Sequence, residues 1–233
     1  MPTRGAPLFA WAGAALFAAS MLYFLYTYIV TFAETANAEA PVGRAVLVDT
    51  LLFSAFALHH SVFARLGVRA HVARFVREDL ERSVYVWIAS LLLIVVCVAW
   101  LPVAGAAWRA SGLAAWALRM AQVIGIWLTI RSASMIDVFE LSGVRQAEHR
   151  MIDPDFTTVG PYGWVRHPIY AGWFIVMFAQ PTMTMTKLVF AVTSCIYLLI
   201  AMPFEERSLL AATGDAYRRY TEAVRWKLIP GVY

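Results

Sequence analysis

The stretch Gly160-Pro161-Tyr162-Gly163-Trp164-Val165-Arg166-His167-Pro168-Ile169-Tyr170-Ala171-Gly172 leads into an apolar run, and beyond that hairpin the chain reads Phe204-Glu205-Glu206-Arg207-Ser208-Leu209-Leu210. Two groups of ionisable residues thus bracket one apolar hairpin. Charge at membrane depth is costly and tends to mark a site. The same reading sets the fold, because a hairpin of this kind needs a bilayer around it.

Composition agrees. The chain has 233 residues, 61% hydrophobic and 15% charged, against roughly a quarter charged in a soluble domain. Mean hydropathy is +0.65. The apolar residues fall in long runs, which a soluble core does not need. The expected architecture is an all-α, polytopic transmembrane bundle forming one membrane domain over 1–233. Residues 1–136 supply four helices, and 137–233 supply a cofactor-binding loop, the hairpin and a tail. The net charge of +4 comes almost wholly from arginine and fits membrane orientation. No basic face with stacking aromatics indicates a nucleic-acid partner. Cys97 and Cys195 lie inside apolar runs, without zinc or Cys-X-X-Cys spacing, so they read as packing residues with neither a disulfide nor a metal. Thr35-Ala36-Asn37-Ala38 imitates a signal cleavage site, but the apolar run from Ala6 to Phe32 exceeds a signal core and reads as a retained helix.

The spans are expected over Pro7–Phe32, Ala45–Ala64, Val84–Leu101, Leu113–Met135, Pro168–Ala179 and Lys187–Pro203, about six in all. The last two make a tight hairpin through Gln180-Pro181-Thr182-Met183-Thr184, and a polar tail is helical through Tyr220. Arg65, Arg69, Arg74, Arg77 and Arg82 crowd one loop, whereas 33–43 has no Lys or Arg. The arginine-rich loop is therefore placed in the cytoplasm. Both termini and both ionisable groups follow it there.

Pro168 suits a first helical turn, where its missing N–H costs nothing. Arg166 and His167 then stand at a helix entrance, where they either hold an anion or anchor the interface by snorkelling, with Tyr162 and Trp164 in the aromatic belt. Glu205 and Glu206 oppose the helix dipole if the helix stops there. Either the helix continues, or the acids have cationic partners. They could bind an ammonium or sulfonium, or simply pair with Arg207 and Arg218. His59-His60-Ser61 places at most one imidazole toward any site, as a structural hydrogen bond or as a general base. Asp137 and Arg145 could pair across Ser142-Gly143, and Glu81 opens a helix in ordinary dipole fashion. Soluble nucleotide-binding and hydrolase motifs are absent.

Gly160-Pro161-Tyr162, Arg166-His167-Pro168-Ile169-Tyr170-Ala171-Gly172, Glu205-Glu206, Leu209, Gly214, Tyr217, Tyr220 and Ile229-Pro230-Gly231 resemble the isoprenylcysteine carboxyl methyltransferase and phospholipid methyltransferase superfamily. His60-Ser61-Val62-Phe63-Ala64-Arg65, Glu81-Arg82-Ser83-Val84-Tyr85-Val86, the segment Asp137 to Gln146 and Pro181-Thr182-Met183-Thr184 are similar to its bacterial methanethiol S-methyltransferases and their denitrification-associated relatives. Two departures are His59, where that subgroup more usually has Gln, and Arg225-Trp226-Lys227 in the tail. The resemblance implies S-adenosylmethionine bound at the cytoplasmic face of a bacterial inner-membrane enzyme. Gly160, Tyr162, Arg166, His167, Tyr170 and Glu206 would bind the cofactor. Glu205 or Glu206 would take its ammonium or aid proton removal. His60 would be the base for a thiol such as methanethiol, with Arg218 or Lys227 favouring the thiolate. An apolar acceptor could enter from the lipid bilayer. Alternative readings are a carboxyl or lipid-amine methyltransferase, an NADPH-dependent membrane reductase, and a non-catalytic accessory protein.

Overall fold

The computed structural model describes residues 5–34, 40–63, 76–136, 144–148 and 158–233. The helices are α1 (Gly5–Ile29), α2 (Val42–Phe63), α3 (Glu78–Ala99), α4 (Gly112–Ala133), the single turn α5 (Val144–Ala147), α6 (Pro168–Phe178), α7 (Met185–Thr213) and α8 (Asp215–Ala223), with short strands β1 (Ala106–Arg109) and β2 (Thr182–Thr184). Among the described residues, 5 helices are long and apolar enough to cross a membrane, and Pro168–Phe178 is a shorter apolar helix. The chain is an all-α integral membrane bundle, as its sequence indicates. Thr35-Ala36-Asn37-Ala38, Arg65, Arg69, Arg74 and the Asp137 end of the Asp137–Arg145 pairing lie outside the described residues.

Two elements differ in extent from the sequence reading. The last long helix does not end at Pro203 but runs through it to Thr213. Beyond Pro203, Leu209 packs against Tyr217, Tyr220 and Val224 of the following segment. Glu205 and Glu206 thus lie inside a helix and escape the unfavourable dipole at its end. Gly214 breaks the helix with φ +56, a conformation that favours glycine. The hairpin connector forms β2, antiparallel to β1, with Trp108 opposite Met183 and Arg109 opposite Thr182. The Trp108 indole N–H donates to the Gln180 carbonyl at 2.8 Å, and Thr184 caps α7 by accepting from the Lys187 amide at 3.2 Å. An 11-residue α6 rises only about 16 Å, well short of the hydrocarbon thickness of a bilayer.

The chain forms two compact units, Met1–Val103 with Asp137–Pro154, and Ala104–Ile136 with Asp155–Tyr233. In the first, α1 and α3 approach closely at Gly13. A Cβ there would sit 2.8 Å from the Trp87 indole nitrogen, whose N–H donates to the Phe9 carbonyl at 3.1 Å. Asp49 accepts from the Leu101 amide at 2.8 Å, which pins the chain leaving α3 to α2. In the second unit, α4 and α6 cross at Gly125 and Gly172. A Cβ on Gly172 would meet Thr129 Oγ1 and would sit 2.7 Å from the Gly125 carbonyl oxygen. Small residues at such a crossing let helix backbones approach closely in a membrane. That crossing fixes α6, and with it Tyr170. The Trp173 indole N–H then donates to Ser194 Oγ at 3.1 Å, tying α6 to α7.

Candidate functional site

The site lies wholly in the second unit. Gly160–Gly163 makes one 3-10 turn, entered at φ +62 on Gly160 against the Met135 thioether. The chain then turns through Trp164 and Val165, whose amides both donate to the Pro161 carbonyl, and His167 stands at the N-cap position of α6, with Pro168 in the first turn. Val165, Ala171, Met202 and Leu228 form a buried cluster beneath this entrance, with Tyr170 packed against it.

On that floor, the two ionisable groups of the hairpin meet. Arg166 Nε donates to Glu206 Oε1 at 2.7 Å. His167 Nε2 lies 3.3 Å from the same oxygen. An ionised carboxylate only accepts, so Nε2 carries the proton of that contact. Lys227 Nζ stands 3.6 Å from Glu206 Oε2. Arg166 is only 9% exposed and Glu206 17%, so this is a mostly desolvated cluster in which each charge depends on its partners. Glu205 is different. It is 46% exposed, with His167 Nδ1 at 3.7 Å from its Oε2. The Tyr170 hydroxyl donates to the same oxygen at 2.6 Å. The His167 and Tyr170 rings stack with centroids 5.2 Å apart. A half-exposed carboxylate beside stacked aromatic faces suits an organic cation.

The Arg166 guanidinium is largely consumed within the fold. Its Nη1 donates to the Val224 carbonyl at 3.0 Å and to the Arg225 carbonyl at 2.8 Å. Its backbone N–H donates to Trp226 O, and that of His167 to Lys227 O, each at 2.9 Å. The Tyr220 hydroxyl donates to the Tyr162 carbonyl at 2.8 Å. Burial, first, raises the phenols of Tyr162, Tyr217 and Tyr220, with the nearby carboxylates Glu205 and Glu206 adding to it. Tyr220, where Arg166 opposes the rise, is pushed to about 12. These hydroxyls therefore remain donors at neutral pH.

Of the residues singled out from sequence, the structure brings Tyr162, Arg166, His167, Tyr170, Glu205 and Glu206 together, with Gly160 shaping the turn that precedes them. Arg218 is exposed on α8, 3.6 Å from Asp215. Arg207 lies over the Phe204 ring at 5.5 Å. The cations that meet Glu206 are instead Arg166 and Lys227. His60 belongs to the first unit, where its Nδ1 is 2.7 Å from the Tyr85 hydroxyl and Arg82 lies 4.8 Å from the Tyr85 ring centre. Sequence reasoning missed the tail carbonyls of Val224 to Lys227, since backbone acceptors leave no trace in residue type. Its one available signal was the odd run Arg225-Trp226-Lys227 before an Ile-Pro-Gly stop.

Residues 129–211 match the isoprenylcysteine carboxyl methyltransferase (ICMT) family. A protein named methanethiol S-methyltransferase 2 from Bradyrhizobium diazoefficiens is 36% identical over 97% of this chain and 90% of its own length. The methanethiol S-methyltransferase of Mycobacterium tuberculosis is 40% identical over 79% of this chain and 78% of its own. More distantly, Nurim of Danio rerio is 29% identical over 75% of this chain and 68% of its own. No solved structure matches.

Proposed function

The chain belongs to the methanethiol S-methyltransferases of the isoprenylcysteine carboxyl methyltransferase superfamily, and on that premise we propose that it transfers a methyl group from S-adenosylmethionine to methanethiol at the cytoplasmic face of a bacterial inner membrane. Both termini face the cytoplasm in this reading. The observation that supports it most is Glu205, a half-exposed carboxylate held by Tyr170 at 2.6 Å at the mouth of the hairpin.

That donor set fits a cationic cofactor. Glu205 would bind its positive groups, Tyr170 orients Glu205, and the His167–Tyr170 stack offers an aromatic face to the sulfonium. Glu206 and Arg166 hold His167 and the start of α6 in place. Gly160 and Tyr162 shape the adjoining turn. When bound, S-adenosylmethionine supplies an electrophilic methyl group on sulfur. The protein's remaining tasks are to position the reactants, exclude water and remove the thiol proton, since the thiolate is the nucleophile. Arg218 or Lys227 supplies positive charge favouring the thiolate.

The test is methyl transfer from labelled S-adenosylmethionine by the purified protein, offered methanethiol, ethanethiol, a farnesylcysteine analogue and phosphatidylethanolamine in parallel. Dimethyl sulfide from the first is the expected product. Transfer to the farnesylcysteine analogue or to the lipid amine, with none to methanethiol, would overturn the assignment.

A further inference from the structure

Residues Tyr220 to Leu228 complete the ionisable cluster at the entrance of α6. Two adjacent backbone bonds, Arg166 N–H to Trp226 O and His167 N–H to Lys227 O, lay the tail along the entrance of α6. Arg166 clasps the carbonyls of Val224 and Arg225. Tyr220 holds the carbonyl of Tyr162, and Lys227 reaches Glu206. Leu228 is buried with Val165, Ala171 and Met202. Immediately outside this edge the tail is open to its surroundings: Trp226 is 38% exposed and Ile229 55%. The tail is thus held on one side by the entrance of α6, through His167 and Glu206, and on another by Leu209 of α7, which packs against Tyr220 and Val224.

We infer that Tyr220 and Lys227 are positioning residues of the donor site, acting through a tail whose docking is coupled to donor binding. This rests on the donor-site reading above. Glu206 is the shared element. It takes Lys227 from the tail, and from the entrance of α6 it takes both His167 and Arg166, whose guanidinium clasps the tail carbonyls. A docked tail fixes Arg166 and Glu206, which in turn fix His167 and, through its ring, Tyr170. A ligand that binds only this ordered arrangement stabilises the docked tail, and by reciprocity the docked tail strengthens the ligand. Undocking would release the Arg166 and His167 amides from their tail carbonyls and leave Glu206 with fewer cations.

The experiment uses the full chain in nanodiscs, with S-adenosylhomocysteine as the probe. Its affinity is measured by calorimetry, and amide hydrogen exchange is followed in peptides covering Arg166 and His167. Exchange through the undocked tail is expected to slow by a factor of about 1 + [L]/Kd, roughly 100-fold at a hundredfold excess over Kd. Tyr220→Phe, which removes one hydroxyl, is expected to weaken the probe about fivefold, and Lys227→Met to weaken it by a similar factor. Lys227→Arg is expected to restore binding, which a change in bulk stability alone would not produce. Binding to the unaltered protein without protection of Arg166 and His167 would overturn the coupling while leaving the donor site intact. So would wild-type affinity in both Tyr220→Phe and Lys227→Met. Absence of any binding to the unaltered protein would remove the donor-site reading and the coupling together.

Discussion

Arg166 and Glu206, separated by 40 positions in sequence, meet at 2.7 Å between Nε and Oε1. The arginine fork also serves the carbonyls of Val224 and Arg225, so a single planar group joins the α6 entrance, α7 and the tail. Both partners of the ion pair are mostly buried, which makes removal of one costly for the other. Arg166→Ala is expected to destabilise the protein by about 2–3 kcal/mol. Arg166→Lys should recover less than half of that, because an ammonium cannot reproduce a fixed fork aimed at several acceptors. Denaturant midpoints of the two variants in a common detergent check this. Equal recovery by lysine would show that charge alone matters.

The crossing of α4 and α6 predicts a second effect, far from any charge. Gly172 has no room for a Cβ against Thr129 and Gly125. Gly172→Ala should force the helices apart at a cost of about 1–3 kcal/mol. Since α6 carries Tyr170, donor affinity should fall with it. Gly43 is the contrast, with nothing within 4 Å of its would-be Cβ. Gly43→Ala, in α2, should be neutral or slightly stabilising. Thermal unfolding of both variants, with and without donor, separates the cases. A Gly172→Ala protein as stable as the parent would mean that the crossing relaxes freely.

Much of this was legible in the chain itself. The apolar runs gave α1 to α4 to within a few residues, because helix length in a bilayer is set by its thickness. Arg166-His167-Pro168 and Glu205-Glu206 marked both ends of the hairpin, since charge beside long apolar runs stands out. What escaped was set by contacts distant in sequence. The pairing of Thr182–Thr184 with Ala106–Arg109 depends on a partner strand too short to show alternation. The passage of α7 through Pro203 was one of two alternatives the sequence left open, and there Leu209 packs against Tyr217 and Tyr220, only eight and eleven residues on. Which cations meet Glu206 could not be read either. Arg207 is its chain neighbour and Arg218 lies on the next helix, but Arg166 and Lys227 are the ones that arrive.

The raised phenol of Tyr220 gives a pH dependence of defined sign. Burial lifts it to about 12, with Glu206 adding to the rise and Arg166 opposing it, against an ordinary value of about 10. Between those values the unfolded chain has lost a proton that the folded chain keeps. Stability therefore falls as pH rises through that window, and the contribution is complete below about pH 10. Loss of the proton also turns the donor to the Tyr162 carbonyl into an acceptor. The Tyr220 contribution should leave thermal midpoints independent of pH from neutrality to about pH 9 and make them decline above about pH 10. In Tyr220→Phe the decline should be shallower, though not absent, because Tyr162 and Tyr217 are raised as well. An identical alkaline slope in the variant would remove Tyr220 from the account.

The two adjacent acids should separate in their effects. Glu206 is enclosed by Arg166, His167 and Lys227, so its carboxylate serves the fold. Glu205, 46% exposed and held by the Tyr170 hydroxyl, keeps an open side toward a ligand. Glu205→Gln should leave the unfolding midpoint nearly unchanged, since an exposed carboxylate contributes little. It should nevertheless weaken S-adenosylhomocysteine about 10- to 100-fold through loss of a charge-assisted contact to the ammonium. Glu206→Gln should lower the midpoint clearly, because it strands buried cations, and any loss of affinity should follow that loss of order. Tyr170→Phe should resemble a mild form of Glu205→Gln, since it frees the carboxylate to rotate without removing its charge. Calorimetric affinities set beside unfolding midpoints for the three variants decide the matter. The division of labour fails if Glu205→Gln destabilises the protein as much as Glu206→Gln while both bind the probe equally.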